Sequence, residues 1–197
     1  MPPQVLLKLG QLKGIPYEPE DRGDGNPNIG FLPIKGRPHE AKSIPEARDE
    51  PGLIYALTRL NAHEAPFFTA GCEKCYNFRG ITARPIGYVE FVHNSIATAL
   101  EEDSYWRLAE EFDSELAHVG FALPVEFEYI VSPTRFSAHG FDGYSAAVYV
   151  KNRRYSNYQL ARRQWRQAIH YLTDFLCSQA AAEPPLFYGP VAGTETR

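Results

Sequence analysis

The stretches VEFEYIV (residues 125–131), YSAAVYVK (144–151) and NYQLARRQWRQAIHYLTDFLCS (157–178) decide the fold that this sequence predicts. The first alternates apolar and polar residues, which is typical of a strand with one buried face. The second is a short run that follows a turn signal, and we interpret it as a returning strand. The third places apolar residues at helical spacing and predicts an amphipathic helix. The order is therefore strand, strand, helix.

A preceding part of the chain repeats this order of elements. Residues 53–60 and 87–93 are short apolar runs with β-branched and aromatic members, which favours strands. Residues 95–119 have helical spacing and predict a helix that ends before Gly120. Two ββα units place both helices on one face of one sheet. The sequence therefore predicts an α+β fold with an antiparallel sheet of four or five strands and two long helices on one face, and it suggests duplication of a ββα unit.

The first fifty residues differ in composition from the rest of the chain. They hold eight prolines and six glycines, which disfavours long regular elements. Apolar residues nevertheless recur among them, unlike in a disordered tail. We divide the chain into an irregular arm (1–50), an α+β domain (51–179) and a C-terminal tail (180–197). The arm is expected to dock on its own domain or on a partner, and it is the predicted route to a homo-oligomer.

The overall composition bounds the class of protein. The net charge of −4 argues against a chain wholly devoted to nucleic acid, but not against a local basic patch. No targeting signal and no apolar stretch of about 20 residues is visible, so no membrane partner is expected. The three cysteines, an odd number, do not suggest a secreted disulfide framework. We expect a soluble cytoplasmic protein.

A CxxC motif, Cys72 and Cys75, is the one candidate metal or redox motif. Two thiolates at this spacing bind zinc when two further ligands complete the site. His63 and His93 are weak candidates for those ligands, because nothing in their spacing demands the role. A redox pair would need a helix after the motif, which the sequence disfavours. We expect two reduced cysteines, no bound metal and no cofactor, with zinc as the alternative.

A predicted twelve-residue loop, 132–143, contains a serine, a histidine, an aspartate and an arginine. A hydrolase needs a nucleophile, a base and an acid that converge in space, and neighbourhood in sequence does not establish convergence. The chain has neither a nucleophile elbow nor a glycine-rich phosphate loop. The loop therefore supports an enzyme only as the third interpretation.

The strongest partner signal is a basic and aromatic segment, 151–166. It holds six basic residues and no acidic one. Such a segment binds phosphates or an acidic protein surface. Helix 95–119 is strongly acidic, so the two helices could also complement each other within the chain. The predicted partner-binding residues are Arg153, Arg154, Tyr158, Arg162 and Arg166.

The absence of enzyme signatures favours a non-catalytic protein-binding module: an adaptor, an inhibitor or an assembly subunit with an acidic protein partner. The alternative is a nucleic-acid-binding subunit that uses residues 151–166. A salt-sensitive affinity for nucleic acid would distinguish the second function from the first.

Overall fold

The computed structural model describes residues 4–20, 29–181 and 186, which form an α+β fold built on one six-stranded mixed sheet. The strand order is β1-β5-β6-β4-β3, and β2 pairs with β5 beyond the end of β1. In chain order the elements are β1 (Gln4–Leu9), β2 (Lys13–Ile15), α1 (Pro51–Leu60), β3 (Phe67–Arg79), β4 (Thr82–His93), α2 (Ile96–Ala99), α3 (Glu102–His118), β5 (Val125–Phe136), β6 (Phe141–Asn152) and α4 (Tyr158–Ser178).

The four strands β3 to β6 pair with one another in antiparallel fashion, as predicted. The central register places Val148 opposite both Tyr129 of β5 and Val89 of β4. The sheet as a whole is mixed, however, because β1 and β2 run parallel to β5. The prediction of a purely antiparallel sheet is therefore wrong in this respect. The parallel strands β1 and β2 come from the segment 1–50, which was predicted to be irregular.

The predicted strand at 53–60 is wrong, because this stretch is helix α1. Pro51 occupies the first turn, where its missing N–H costs nothing, and the Glu50 carboxylate accepts a hydrogen bond from the Gly52 N–H at 3.3 Å. The buried residues then recur at helical spacing: Leu53, Ala56, Leu57 and Leu60. The ββα order still occurs twice, but its first strand is β3.

The N-terminal segment contributes both regular structure and core. Besides β1 and β2 it forms two short 3₁₀ turns, Pro38–Ser43 and Pro45–Ala47. Ile34, Ala41, Ile44 and Ala47 are buried in the main core. The expectation that the arm docks on its own domain is thus confirmed for the described part. Positions 1–3 and 21–28 of the arm, and most of the predicted tail, lie outside the described residues.

The predicted helix 95–119 is interrupted after one turn. The short helix α2 ends at Ala99, and α3 starts at Glu102. Gly120 adopts a φ of 61° and ends α3 as predicted, with the Phe121 N–H reaching back to the Leu116 carbonyl. The predicted helix 157–178 is confirmed as α4, whose first turn is capped by the Asn157 side chain.

The main core lies between the sheet and helices α1, α3 and α4. The Phe112 ring of α3 lies 4.9 Å from Phe127 of the sheet and 4.9 Å from Phe175 of α4, so the two long helices pack on the same sheet face. The Trp165 indole donates to the Val150 carbonyl at 2.8 Å. Its ring covers Gly87, where a Cβ would lie 2.6 Å from the indole, so glycine is required there.

The other sheet face carries a smaller apolar cluster and a row of charged side chains. Phe68, Val92 and Phe136 belong to this cluster, together with Leu186. Glu128 on the same face pairs with Lys8 and Lys151, and Glu90 pairs with Lys13. These pairs neutralise two carboxylates that are almost fully buried.

Candidate anion-binding cleft

The structure divides the predicted basic segment into two parts. Arg153 and Arg154 precede α4, whereas Arg162 and Arg166 lie on its first turns. The two parts point to different surroundings. The binding of a partner by these five residues stays a prediction.

Arg162 and Arg166 both bind the buried carboxylate of Glu50. The Arg162 Nε atom lies 3.0 Å from Glu50 Oε2, and Arg166 Nε donates to Oε1 of the same carboxylate. The Tyr76 hydroxyl donates to Glu50 as well. Burial alone raises the pKa of Glu50, but the hydrogen bonds from Arg166, Tyr76 and Arg162 outweigh it and lower the pKa. These two arginines thus neutralise the Glu50 carboxylate within the chain. The sequence suggested the acidic helix 95–119 as their partner within the chain, but Glu50 lies outside that helix.

Arg153 and Arg154 instead line an open cleft of about 620 Å³ at one end of the sheet. Arg79, from the end of β3, and Arg84, from the start of β4, line the same cleft. Antiparallel pairing brings these positions together, because the end of β6 lies beside the start of β4 and the start of β5. Four arginines from two parts of the chain, about 70 residues apart in sequence, therefore line one cleft.

Backbone contacts hold two of these guanidinium groups without neutralising them. Arg84 Nε donates to the Asn152 carbonyl at 2.8 Å, and Arg154 donates to the Asn77 carbonyl and side-chain oxygen at 3.0 Å each. Arg79 and Arg153 are exposed. Within residues 4–20 and 29–181, no carboxylate lies within 4 Å of any of the four arginines. One acidic residue, Glu126, is among the described lining of the cleft, but its carboxylate pairs with Lys151 at 3.3 Å. The positive charge of the four arginines is thus available to an anion.

The wall of the cleft is fixed by a backbone bridge. Tyr155 and Ala83 exchange both of their N–H···O hydrogen bonds, at 2.8 and 2.9 Å. This bridge ties the chain after β6 to the β3–β4 hairpin. It therefore holds Arg153 and Arg154 beside Arg79 and Arg84.

Apolar groups project beside the cleft at the tip of the β3–β4 hairpin. Phe78 is 60% exposed and Ile81 is 86% exposed. The Phe78 ring lies 5.7 Å from the ring of Tyr158, which in turn lies 5.5 Å from Tyr76. None of the three rings in this aromatic row lines the cleft, because Phe78 and Arg79 are consecutive residues of β3 and their side chains point to opposite faces of the sheet. The exposed Phe78 ring at the hairpin tip can nevertheless stack with a flat ligand that extends past the edge of the cleft.

Sequence reasoning missed Arg79 and Arg84. Each is an isolated arginine in a strand, and neither neighbours a basic run. Only the pairing of β4 with β6 brings them to residues 151–154. A hairpin prediction for 67–93 would have given the nearest available signal, since its tip concentrates Phe78, Arg79 and Ile81.

The CxxC motif lies within strand β3 instead of a loop. Residues three apart on a strand point to opposite faces, so Cys72 enters the main core while Cys75 is exposed. Burial raises the pKa of Cys72 to about 12, which keeps its thiol protonated. His63 is exposed in a turn, and His93 packs between Phe67 and Tyr105. The described residues contain no group of three or more histidines, cysteines and acids arranged for a metal ion. The absence of a cofactor remains a prediction.

The predicted loop 132–143 is mostly strand, which corrects that expectation. Strand β5 continues to Phe136 and β6 starts at Phe141, so only a four-residue turn separates them. Ser132 is buried in the sheet and His139 is exposed in the turn. Asp142 is held by Arg135 at 2.9 Å. The arrangement that a hydrolase needs is not supported by these placements.

Within the part of the chain that is described, no helix combines the length and the apolar character needed to cross a membrane. Comparisons of the chain with protein-family models, with curated proteins and with solved structures find no match.

Proposed function

We propose that this protein is a non-catalytic binding module whose arginine cleft takes a single-stranded nucleic acid. The observation that carries the proposal is the convergence of Arg79, Arg84, Arg153 and Arg154 around one open cleft with no carboxylate partner among the described residues. Guanidinium groups bind phosphates in a fork-like geometry, and each bound phosphate releases condensed counterions.

The aromatic row favours nucleic acid over an acidic protein. Phe78 is exposed at the hairpin tip next to the edge of the cleft, and Tyr158 packs against its ring, so a strand that leaves the cleft over this tip would place a base on it. A base stacked on such a ring contributes about 1–3 kcal/mol, whereas an acidic side chain gains little from it. An acidic protein segment, the partner expected from the sequence, remains the competing occupant of the cleft.

The test measures the affinity for a fluorescein-labelled oligothymidylate by anisotropy as a function of salt. The double variant Arg79→Gln/Arg153→Gln removes two exposed cations, so the fold is expected to persist. We expect affinity to fall about tenfold or more, and the log–log salt slope to decrease by about 1.4, at about 0.7 per phosphate contact. Phe78→Ala should weaken binding without changing the salt slope.

The matched control is Arg48→Gln/Arg135→Gln, which removes two exposed arginines outside the cleft. It should leave the affinity within about twofold, because distant exposed charges are screened. Equal losses in both double variants would reduce the effect to net charge and overturn the site. A polyglutamate peptide of equal charge that binds more tightly than the oligonucleotide would assign the cleft to an acidic protein.

A further inference from the structure

A second cavity lies at the bulge of the edge strand β3, away from the arginine cleft. The register of β3 against β4 shifts between Thr69 and Gly71. Gly71 carries no side chain, and a Cβ placed there would lie 3.4 Å from Glu90 Oε2, 3.4 Å from the Tyr17 hydroxyl and 3.6 Å from the Tyr88 hydroxyl. Three oxygen atoms thus converge on one point above the glycine.

The space around this point is a cavity of about 270 Å³. Its lining comes from both sides of the edge strand and includes the apolar side chains of Leu32, Ile44 and Leu57. Drug-sized ligands use pockets of about 300–1,000 Å³, so this cavity suits a smaller molecule with one polar end.

The charge of the cavity is negative. Three carboxylates line it, those of Glu46, Glu73 and Glu90, against the single ammonium group of Lys13. Lys13 pairs with Oε1 of Glu90, whose side chain is only 9% exposed, and Oε2 faces the point above Gly71. The buried Oε2 of Glu46 has no hydrogen-bond partner among the described residues. Because no donor compensates this buried carboxylate oxygen, it adds to the negative lining and favours a cationic ligand in the same cavity.

From these observations we infer that the cavity binds a small organic ammonium ligand with an apolar body. The ammonium group would donate to Glu90 Oε2, Tyr17 and Tyr88 at the point above Gly71. The apolar body would lie against Ile44 and Leu57. An ammonium cation fits better than a metal ion, because two of the three converging groups are phenols and the described residues hold no metal-type cluster.

Cys72 also lines the cavity, but its chemistry does not suggest a covalent step. Burial raises the pKa of this thiol to about 12, so the nucleophilic thiolate is scarce at neutral pH. Burial likewise raises the pKa of Tyr88, which keeps its hydroxyl neutral and able to accept or donate a hydrogen bond. The cavity is therefore a binding site and not a reaction centre.

The test compares three probes of similar shape and different charge: 2-phenylethylamine, 2-phenylethanol and 3-phenylpropionate. Binding is followed by amide chemical-shift changes in the full chain and by calorimetry. We expect the amine to shift the amides of residues 69–73 and 88–90, and to bind about tenfold or more tightly than the alcohol. The anionic probe should produce no shifts there.

Two variants make the outcome specific. Gly71→Ala places a methyl group at the convergence point at ordinary contact distances, so the fold should persist while amine affinity falls about tenfold. Glu90→Gln should reduce the preference for the amine over the alcohol. The control Glu128→Gln removes another lysine-paired carboxylate from the same sheet face, outside the cavity. It should change neither the affinity for the amine nor the preference for the amine over the alcohol.

Three results would overturn the inference. These are equal affinities for the amine and the alcohol, unchanged amine binding in a folded Gly71→Ala variant, and no shifts in residues 69–73 at about 10 mM amine. None of them bears on the arginine cleft, because the two sites share no lining residue.

Discussion

At the scale of single residues, Glu50 shows how one side chain can bind together distant parts of the chain. Its carboxylate caps the start of α1 and accepts hydrogen bonds from Tyr76 on β3 and from Arg162 and Arg166 on α4. It is completely buried. A buried carboxylate is tolerated only when its charge is paired and its lone pairs are used, and both conditions hold here.

The lowered pKa of Glu50 predicts a specific response to acid. A carboxyl whose pKa is lowered on folding stabilises the protein above its unfolded pKa, near 4.5, and this contribution is lost as the pH falls through the folded value. Glu50→Gln should therefore lower the free energy of unfolding by about 2 kcal/mol at pH 7. The loss stays moderate because the side chains of both arginines are partly exposed and remain hydrated.

Urea denaturation at a series of pH values checks this. The difference in the free energy of unfolding between wild type and Glu50→Gln should shrink as the pH falls below about 4.5. A difference that stays constant down to pH 2 or so would show that the carboxylate charge does not matter and that only packing was changed.

At the scale of elements, the sequence predicts what depends on local periodicity. α4 is predicted almost to the residue, and the predicted strands 125–131 and 144–151 lie inside β5 and β6, since alternation and helical spacing are visible inside each element. The ends of both strands next to their shared turn were predicted as loop. The 53–60 stretch was mispredicted because Ile54, Tyr55 and Thr58 favour strands. The buried positions 53, 56, 57 and 60 and the proline at 51 are the helical signal that outweighs them.

What the sequence could not predict depends on pairing between elements. The parallel placement of β1 beside β5 and the meeting of Arg79 with Arg153 are properties of strand order, which no local pattern encodes. The bulge that exposes Gly71 to Glu90 belongs to the same class. Both candidate sites therefore rest on contacts that only the fold creates.

Lys35 joins two elements and supports a prediction about their connection. Its ammonium group donates to the carbonyls of Ala62, Ala65 and Phe67 at 2.6–2.7 Å, which links the turn after α1 to the start of β3. Lys35→Met keeps most of the apolar stem but leaves three carbonyls without this donor. We expect a loss of about 3 kcal/mol in the free energy of unfolding, measured by urea denaturation.

The control for this variant is Lys42→Met in the same segment, where the side chain is exposed. Its effect should stay within about 0.5 kcal/mol, as for most surface substitutions. Equal effects at positions 35 and 42 would contradict the role of Lys35 as a link between α1 and β3.

At the scale of the whole molecule, acidic and basic residues are concentrated in different regions, which the net charge does not show. The chain is acidic overall, with a net charge of −4, and α3 contributes much of that acidity. The arginine cleft nevertheless lies at one end of the sheet, and its four arginines form no ion pair among the described residues. Interactions between exposed charges more than about 10 Å apart are largely screened. The charges around the cleft, and not the net charge of the chain, therefore decide which partner binds there.

The N-terminal fifty residues also matter at the scale of the whole molecule, because we expect the fold to depend on them. A chain that starts at Pro51 lacks β1, β2, Lys35 and Glu50, together with buried residues such as Ile34 and Ile44. Each large buried side chain contributes about 1.5–3 kcal/mol, and a typical domain is stable by only about 5–15 kcal/mol. The stabilisation removed by the deletion therefore exceeds the free energy of unfolding that a domain of this kind has. We expect the chain from Pro51 to show no cooperative unfolding transition in calorimetry.

A shorter deletion separates the core of this segment from its edge. A chain that starts at Lys13 loses β1, whose leucines are half-exposed or exposed, but keeps Lys35, Glu50 and the buried residues between 34 and 47. It should fold and unfold cooperatively at a lower temperature than the full chain. If the chain from Pro51 also folds cooperatively, the segment is dispensable for the core. Its apolar residues would then have to be explained by a partner, as the sequence alone first suggested. Folding that is retained from Lys13 and abolished from Pro51 would instead place the N-terminal boundary of the fold between these two positions. That boundary lies inside the segment that the sequence predicts to be irregular.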